Sequence, residues 1–270
     1  MKIVSCIVAR TTSNRLPLKV LRAVNPSHDK SMLDVIISKA KLSTLTDKIY
    51  LCTSEEPCDD ILVDTAFRNN IELYRGASDA VIERMVSVAE IENADYIVRI
   101  TGDNIFVAGE YLDQQIQLCI DQNLDYCRLS GVPIGATAEV IKVTALQQLY
   151  QEMDVSVSEY LMLFIFDPER FKCGVLKSSH DLSQYGITVD TPYDFEVVQR
   201  IIRHLGDDAS QLTLKNICQL FKNNSELFKT IHGSASIKMP YDKTMSFDDF
   251  LIDQKQRVER SACIKTIDIM

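Results

Sequence analysis

The sequence predicts an α/β domain: a mostly parallel sheet with helices on both faces. Three observations predict it. Short apolar, β-branched runs alternate along the chain with stretches of helical periodicity. The first run, Ile3, Val4, Cys6, Ile7 and Val8, is nearly continuous, as a strand buried on both faces requires. A hydrophobic content of 46% over 270 residues is enough for one large core.

Taken in order, the strand-like runs fall at 3–9, 49–53, 71–74, 96–100, 126–129, 138–143 and 186–190. Ser31 with Asp34, ahead of Val35, Ile36 and Ile37, forms a capping-box signature that opens a helix after the first strand. Further helical patterns occupy 59–69, 79–91, 109–122, 144–151, 193–205 and 213–223. The stretch 156–171 holds Leu161, Met162, Leu163, Phe164, Ile165 and Phe166, too apolar for an isolated surface helix and too short to cross a bilayer. It is expected to pack on the core or on a second subunit, which raises the expectation of a homodimer. Beyond His232 the pattern weakens, and Ser246 with Asp249 before Phe250 and Leu251 signals a short final helix. The expected division is therefore a domain over 1–231 and a C-terminal extension over 232–270.

A net charge of −9 argues against a general nucleic-acid surface, which needs clustered cations. No apolar run reaches the length of about 18 residues that membrane insertion requires, and the chain enters its first strand without a leader, so a cytoplasmic protein is expected. The eight cysteines form no Cys-x-x-Cys pair and read as buried thiols. His28, His180, His204 and His232 lack metal-ligand spacing.

Against this acidic background the loop after the first strand stands out: Ala9, Arg10, Thr11, Thr12, Ser13, Asn14, Arg15, Leu16, Pro17, Leu18, Lys19. Ligands of open α/β sheets collect beyond the carboxyl ends of strands, and Arg10, Arg15 and Lys19 there suit a polyphosphate. Asp103 follows the fourth run and Asp190 follows Ile187, Thr188 and Val189. Two carboxylates about 4 Å apart repel by about 4 kcal/mol at an effective dielectric of 20, so a cation between them is expected. Magnesium suits that place because it takes carboxylates together with phosphate oxygens. Taken singly, each aspartate fits ordinary turn chemistry equally well. Glu139, between Ala138 and Val140 on an expected strand, needs a partner or a ligand hydroxyl if buried.

The cationic loop resembles the signature loop of the CMP-sugar synthetases (the acylneuraminate and 3-deoxy-manno-octulosonate enzymes), and most nearly that of the spore-coat polysaccharide cytidylyltransferases, Ala-Arg-x-Gly-Ser-x-Arg-Leu-Pro-Gly-Lys-Val-Leu. Ala9, Arg10, Ser13, Arg15, Leu16, Pro17, Lys19, Val20 and Leu21 match it, while Thr12 and Leu18 stand at the two glycines. Arg99, Ile100, Thr101, Gly102 and Asp103 match a second block, and Thr188, Val189, Asp190, Thr191, Pro192 and Asp194 a third. Arg75, Gly76, Asp79, Val81 and Arg84 resemble Arg-Gly-x-x-Asp-x-Val-x-x-Arg, and Gly135, Glu139 and Val140 resemble Gly-x-x-x-Glu-Val. Glu159 and Tyr160 stand at a family Glu-His, and Ala108 and Gly109 at a family Asp-Pro. The similarity spans about residues 2–231.

This resemblance implies a Rossmann-like, nucleotide-diphospho-sugar transferase fold and a magnesium-dependent cytidylyltransferase. Its reaction passes CMP from CTP to a sugar or sugar-acid acceptor and releases pyrophosphate, for cell-surface polysaccharide biosynthesis. It implies catalytic roles for Arg10, Lys19 and Asp103 and magnesium ligation by Asp103 and Asp190. Nucleotide binding would fall to Ala9, Arg10, Ser13, Arg15, Lys19, Arg75, Asp79, Thr101 and Gly102, and acceptor binding to Glu139 and Glu159. The replacements at Thr12, Leu18, Ala108 and Tyr160 leave the alternative of a nucleotide-binding relative that does not turn over. A dinucleotide-dependent oxidoreductase lacks its Gly-x-Gly-x-x-Gly after the first strand.

Overall fold

The computed structural model describes residues 1–25, 28–224, 229–230 and 236–269. The boundary expected after 231, and His232, lie outside them. An eight-stranded sheet runs through the molecule, built from β1 (Ile3–Val8), β2 (Lys48–Ser54), β3 (Glu72–Gly76), β4 (Tyr96–Thr101), β5 (Tyr126–Ser130), β6 (Glu139–Lys142), β7 (Cys173–Ser178) and β8 (Cys263–Ile267). Its order is β8-β7-β5-β6-β4-β1-β2-β3. Every neighbouring pair is parallel except those of β6, which runs antiparallel to β4 and β5.

The helices are α1 (Met32–Ala40), α2 (Ile61–Arg68), α3 (Val81–Glu92), α4 (Leu112–Gln122), α5 (Val143–Glu152), α6 (Leu161–Ile165), α7 (Pro192–Leu205), α8 (Leu214–Asn223) and α9 (Phe247–Arg260). Successive residues of a strand point to opposite faces, and the two cores follow that rule. Ile3 and Ile7 of β1 pack with α1, α4, α7 and α8, whereas Val4 and Cys6 pack with α3, α5 and α6 on the other side. The expected fold class is borne out.

The cap at Ser31 and Asp34 forms as a reciprocal capping box, and Thr191 with Asp194 makes another at the start of α7. Ser246 accepts from the Asp249 amide at the start of α9. Leu161, Ile165 and Phe166 are buried within this chain, with the Phe166 ring stacked on Tyr126 at 5.4 Å. Among the described residues no helix is long and apolar enough to cross a membrane. All eight cysteines are free; six are buried, Cys58 is exposed and Cys263 is half-buried.

Two expectations need correction. The run 186–190 is not a strand of the sheet: Tyr185 and Gly186 pair with 229–230, and the backbone beyond is held by loops, Ile187 N–H on the Ile134 carbonyl at 2.8 Å and Val189 N–H on that of Asp103 at 3.0 Å. An apolar β-branched run reports burial of both faces, which packing between loops also supplies. Conversely, β7 and β8 do join the sheet. Gly174, Lys177 and Ser178 interrupt the apolar pattern of β7, and β8 is a half-exposed edge with little apolar signal.

Candidate active site

The chain leaves β1 at Val8, and Ala9 N–H bonds the Cys52 carbonyl at 3.2 Å, so the cationic loop starts fixed to β2. It then folds back on itself. Leu18 N–H reaches the Thr11 carbonyl at 3.1 Å, and the Ser13 hydroxyl accepts from Leu16 N–H at 3.3 Å. Leu18, at the family's glycine position, takes φ 56°, the left-handed conformation glycine adopts without strain. Leu18 thus adopts here a backbone that glycine would take freely.

The loop's anchor is Asp59, a residue that sequence reading passes over as the start of a helix. Its Oδ1 accepts from Thr11 N–H at 2.7 Å and from Thr11 Oγ1 at 2.6 Å, and its Oδ2 accepts from Thr53 at 3.1 Å and from Ser54. Burial alone would raise this carboxyl, but the hydrogen bonds from Ser54, Thr11 and Thr53 more than reverse that and hold it below the ordinary range.

At the foot of the loop the expected opposition of charges is present. Lys19 Nζ lies 3.1 Å from Asp190 Oδ1 and 3.6 Å from Asp103 Oδ2, and donates to the Val189 carbonyl at 2.7 Å. Arg15 reaches Asp190 Oδ1 at 3.1 Å from a largely exposed position. The aspartate-bearing loops are themselves joined by the Val189 to Asp103 backbone bond. Gly102 allows this closure: its N–H bonds the Val8 carbonyl at 2.8 Å, and a Cβ there would stand 2.8 Å from Ala9 Cβ. Thr101 ends β4 immediately before it.

These carboxylates fit a divalent ion. Both are hard oxygen donors, both remain a third exposed, and they converge on one cation. Among the described residues no three metal-ligating side chains cluster, so most of such an ion's ligands would come from nucleotide and water.

Arg10 lies across the loop, 4.0 Å from Asp79 and 3.9 Å from Glu159. The Asp79 carbonyl accepts from Ser158 Oγ at 2.9 Å, which brings the start of α3 beside the Glu159 segment. Glu139 is buried and satisfied: Arg99 pairs with its Oε2, and Tyr126 donates to its Oε1 at 2.7 Å. Arg99 also reaches the Glu159 carbonyl at 3.5 Å. Arg75 is engaged away from the other loop cations, on the carbonyls of Ser54 and Glu56 at 2.9 and 3.2 Å and on Asp60 at 2.7 Å. Arg84 is buried at 2% exposure, its Nε and Nη1 without a partner among the described residues. A cavity of about 210 Å³ opens beside Thr101 and Asn104, which flank Asp103 in the chain.

A family model described as cytidylyltransferase matches residues 4–205, most of the chain. The chain belongs to the cytidylyltransferase family. This cytidylyltransferase is 32% identical over 233 residues to the spore coat polysaccharide biosynthesis protein SpsF of Bacillus subtilis, covering 78% of this chain and 92% of the relative. Its fold is shared with a cytidylyltransferase from Leptospira borgpetersenii, with TM-score 0.77 and 24% identity over 86% of this chain and 99% of that one. It is shared also with a CMP:2-keto-3-deoxy-manno-octonic acid synthetase complexed with CTP, with TM-score 0.60 and 16% identity over 76% of this chain and 99% of that one. The nucleotidyltransferase expected from the sequence is thereby borne out at the level of family and fold.

Proposed function

We propose that this cytidylyltransferase transfers CMP from CTP to a sugar or sugar-acid acceptor, for cell-surface polysaccharide biosynthesis in the cytoplasm. The observation that carries the reading is the convergence of Lys19, Asp103 and Asp190 at the foot of the cationic loop. The relative named for spore coat polysaccharide and the structural neighbour bound to CTP support the substrate classes. The left-handed backbone of Leu18, open to glycine, is compatible with turnover.

In this reading an acceptor oxygen attacks the α-phosphorus, the bond to the bridging oxygen of the β-phosphate breaks, and pyrophosphate leaves. Arg10, Arg15 and Lys19 neutralise the triphosphate and the charge that builds on the leaving group. Ala9, Ser13, Thr101 and Gly102 shape the floor on which the phosphates lie. Asp79 and Glu159 hold Arg10 from either side. Arg75 acts through the 54–60 turn that carries the Asp59 anchor, as a positioning residue. Glu139 and Glu159 face the acceptor side, Glu139 through its pairing with Arg99. A magnesium ion held by Asp103 and Asp190 would supply charge neutralisation at the phosphate oxygens.

The test is pyrophosphate release from CTP with magnesium across a panel of sugars and sugar acids. Lys19→Ala and Asp103→Asn are expected to abolish it. Unchanged turnover in both variants removes the site assignment. The homodimer is a separate proposal; a monomeric mass by light scattering removes it.

A further inference from the structure

The cavity lined by Thr101 and Asn104 has a wall that the family match does not include. It is lined on the sheet side by Arg99, Thr101, Arg128 and Glu139 and closed on the outside by Phe250 and Gln254 of α9. The family match ends at residue 205, so α9 belongs to the part of the chain beyond it. Arg257 fastens that helix over the pocket, donating to the carbonyls of Leu163 and Phe166 at 3.0 and 2.6 Å.

A cationic side chain on its lining suits the cavity to a polar ligand. Arg99, on the sheet side, is buried and its charge is already matched by Glu139. Arg128 has no carboxylate partner among the described residues. Its guanidinium stacks on the Phe166 ring at 5.4 Å, its Nε donates to the Leu129 carbonyl at 3.2 Å, and its Nη1 donates to Gln254 Oε1 at 3.0 Å. Gln254 is in turn oriented by Asp253, to which its amide donates at 3.2 Å. The Gln254 contact fixes the tilt of the guanidinium about its stem.

We infer that α9 is this chain's own wall of the acceptor pocket, and that Gln254 is a positioning residue holding Arg128 against a small, oxygen-rich acceptor. This rests on the transferase reading above. The volume accommodates a sugar-sized unit.

The experiment is a double-mutant cycle with the best acceptor from the panel, using Gln254→Met, which keeps volume but removes the amide, and Arg128→Met. Each single variant is expected to raise the acceptor KM about tenfold, the effect of one hydrogen bond to a charged group, while the CTP KM stays unmoved and thermal unfolding shows a folded protein. The double variant should be no worse than Arg128→Met alone, because Gln254 acts only through Arg128. Should Gln254→Met fold poorly, Gln254→Ala takes its place. An unmoved acceptor KM, fully additive effects, or parallel rises in both KM values overturn the inference and leave the transferase reading intact. Absence of turnover in the wild-type protein with every acceptor overturns both.

Discussion

Replacing Lys19 with methionine isolates what one ammonium does in this site. The side chain is mostly buried, and its nitrogen lies 3.1 and 3.6 Å from two carboxylates. At an effective dielectric of 20 each attraction is about 5 kcal/mol before screening. Both aspartates are a third exposed, so solvent leaves about 1 kcal/mol of each as a contribution to stability. Lys19→Met should therefore fold, with a loss of about 1–2 kcal/mol. Catalysis should suffer more. A preorganised donor aimed at developing charge is worth about 3–4 kcal/mol, so kcat/KM for CTP should fall by about a thousandfold in a pyrophosphate-release assay. Magnesium affinity without nucleotide should move the other way, since the ammonium no longer competes for Asp103 and Asp190; titration calorimetry reads that change. A kcat/KM within threefold of wild type, or no gain in magnesium affinity, would refute the shared-cation reasoning.

Other consequences follow from the same geometry. Leu18→Gly should raise the melting temperature by a few degrees and keep activity, because Leu18 is 53% exposed and pays about 1 kcal/mol for its left-handed backbone; thermal unfolding checks the sign. Gly102→Ala should cost about 1–3 kcal/mol and depress turnover, since the new methyl meets Ala9 Cβ at 2.8 Å and pushes the cationic loop off β4. Asp59→Ala should raise the KM for CTP and expose the loop to proteolysis, with Thr11 and Thr53 losing their common acceptor. Glu92 gives a pH dependence: hydrogen bonds from Lys2, Lys48 and Tyr50 hold its carboxyl at about 2 against an ordinary 4.5. Its contribution is complete above pH 4.5 and is lost as pH falls toward 2, so acid unfolding of Glu92→Gln should show a shallower slope across that window.

The parts of this protein legible in the sequence are those written in local chemistry. The helix caps at Ser31 and Ser246 require only neighbours three residues apart, and β1 announces itself because both its faces are buried. The three loop cations and Asp103 were legible as candidates because position along an α/β sheet constrains where loops point. What the sequence withheld is long-range. Nothing near Asp59 says that it is the hub for Thr11, a partner 48 positions away. Nothing in the half-exposed pattern of β8 says that it pairs with β7. Asp190 shows the distinction most sharply: its charge partner was foreseen, but its support was not, because Ile187 and Val189 are apolar to fill the space between loops rather than to join a ladder. A burial pattern reports how much water a residue avoids, and it is silent on which backbone satisfies it. The acceptor side follows the same logic, since Arg128 and Gln254 meet across 126 positions and acquire meaning only when α9 is laid over the sheet.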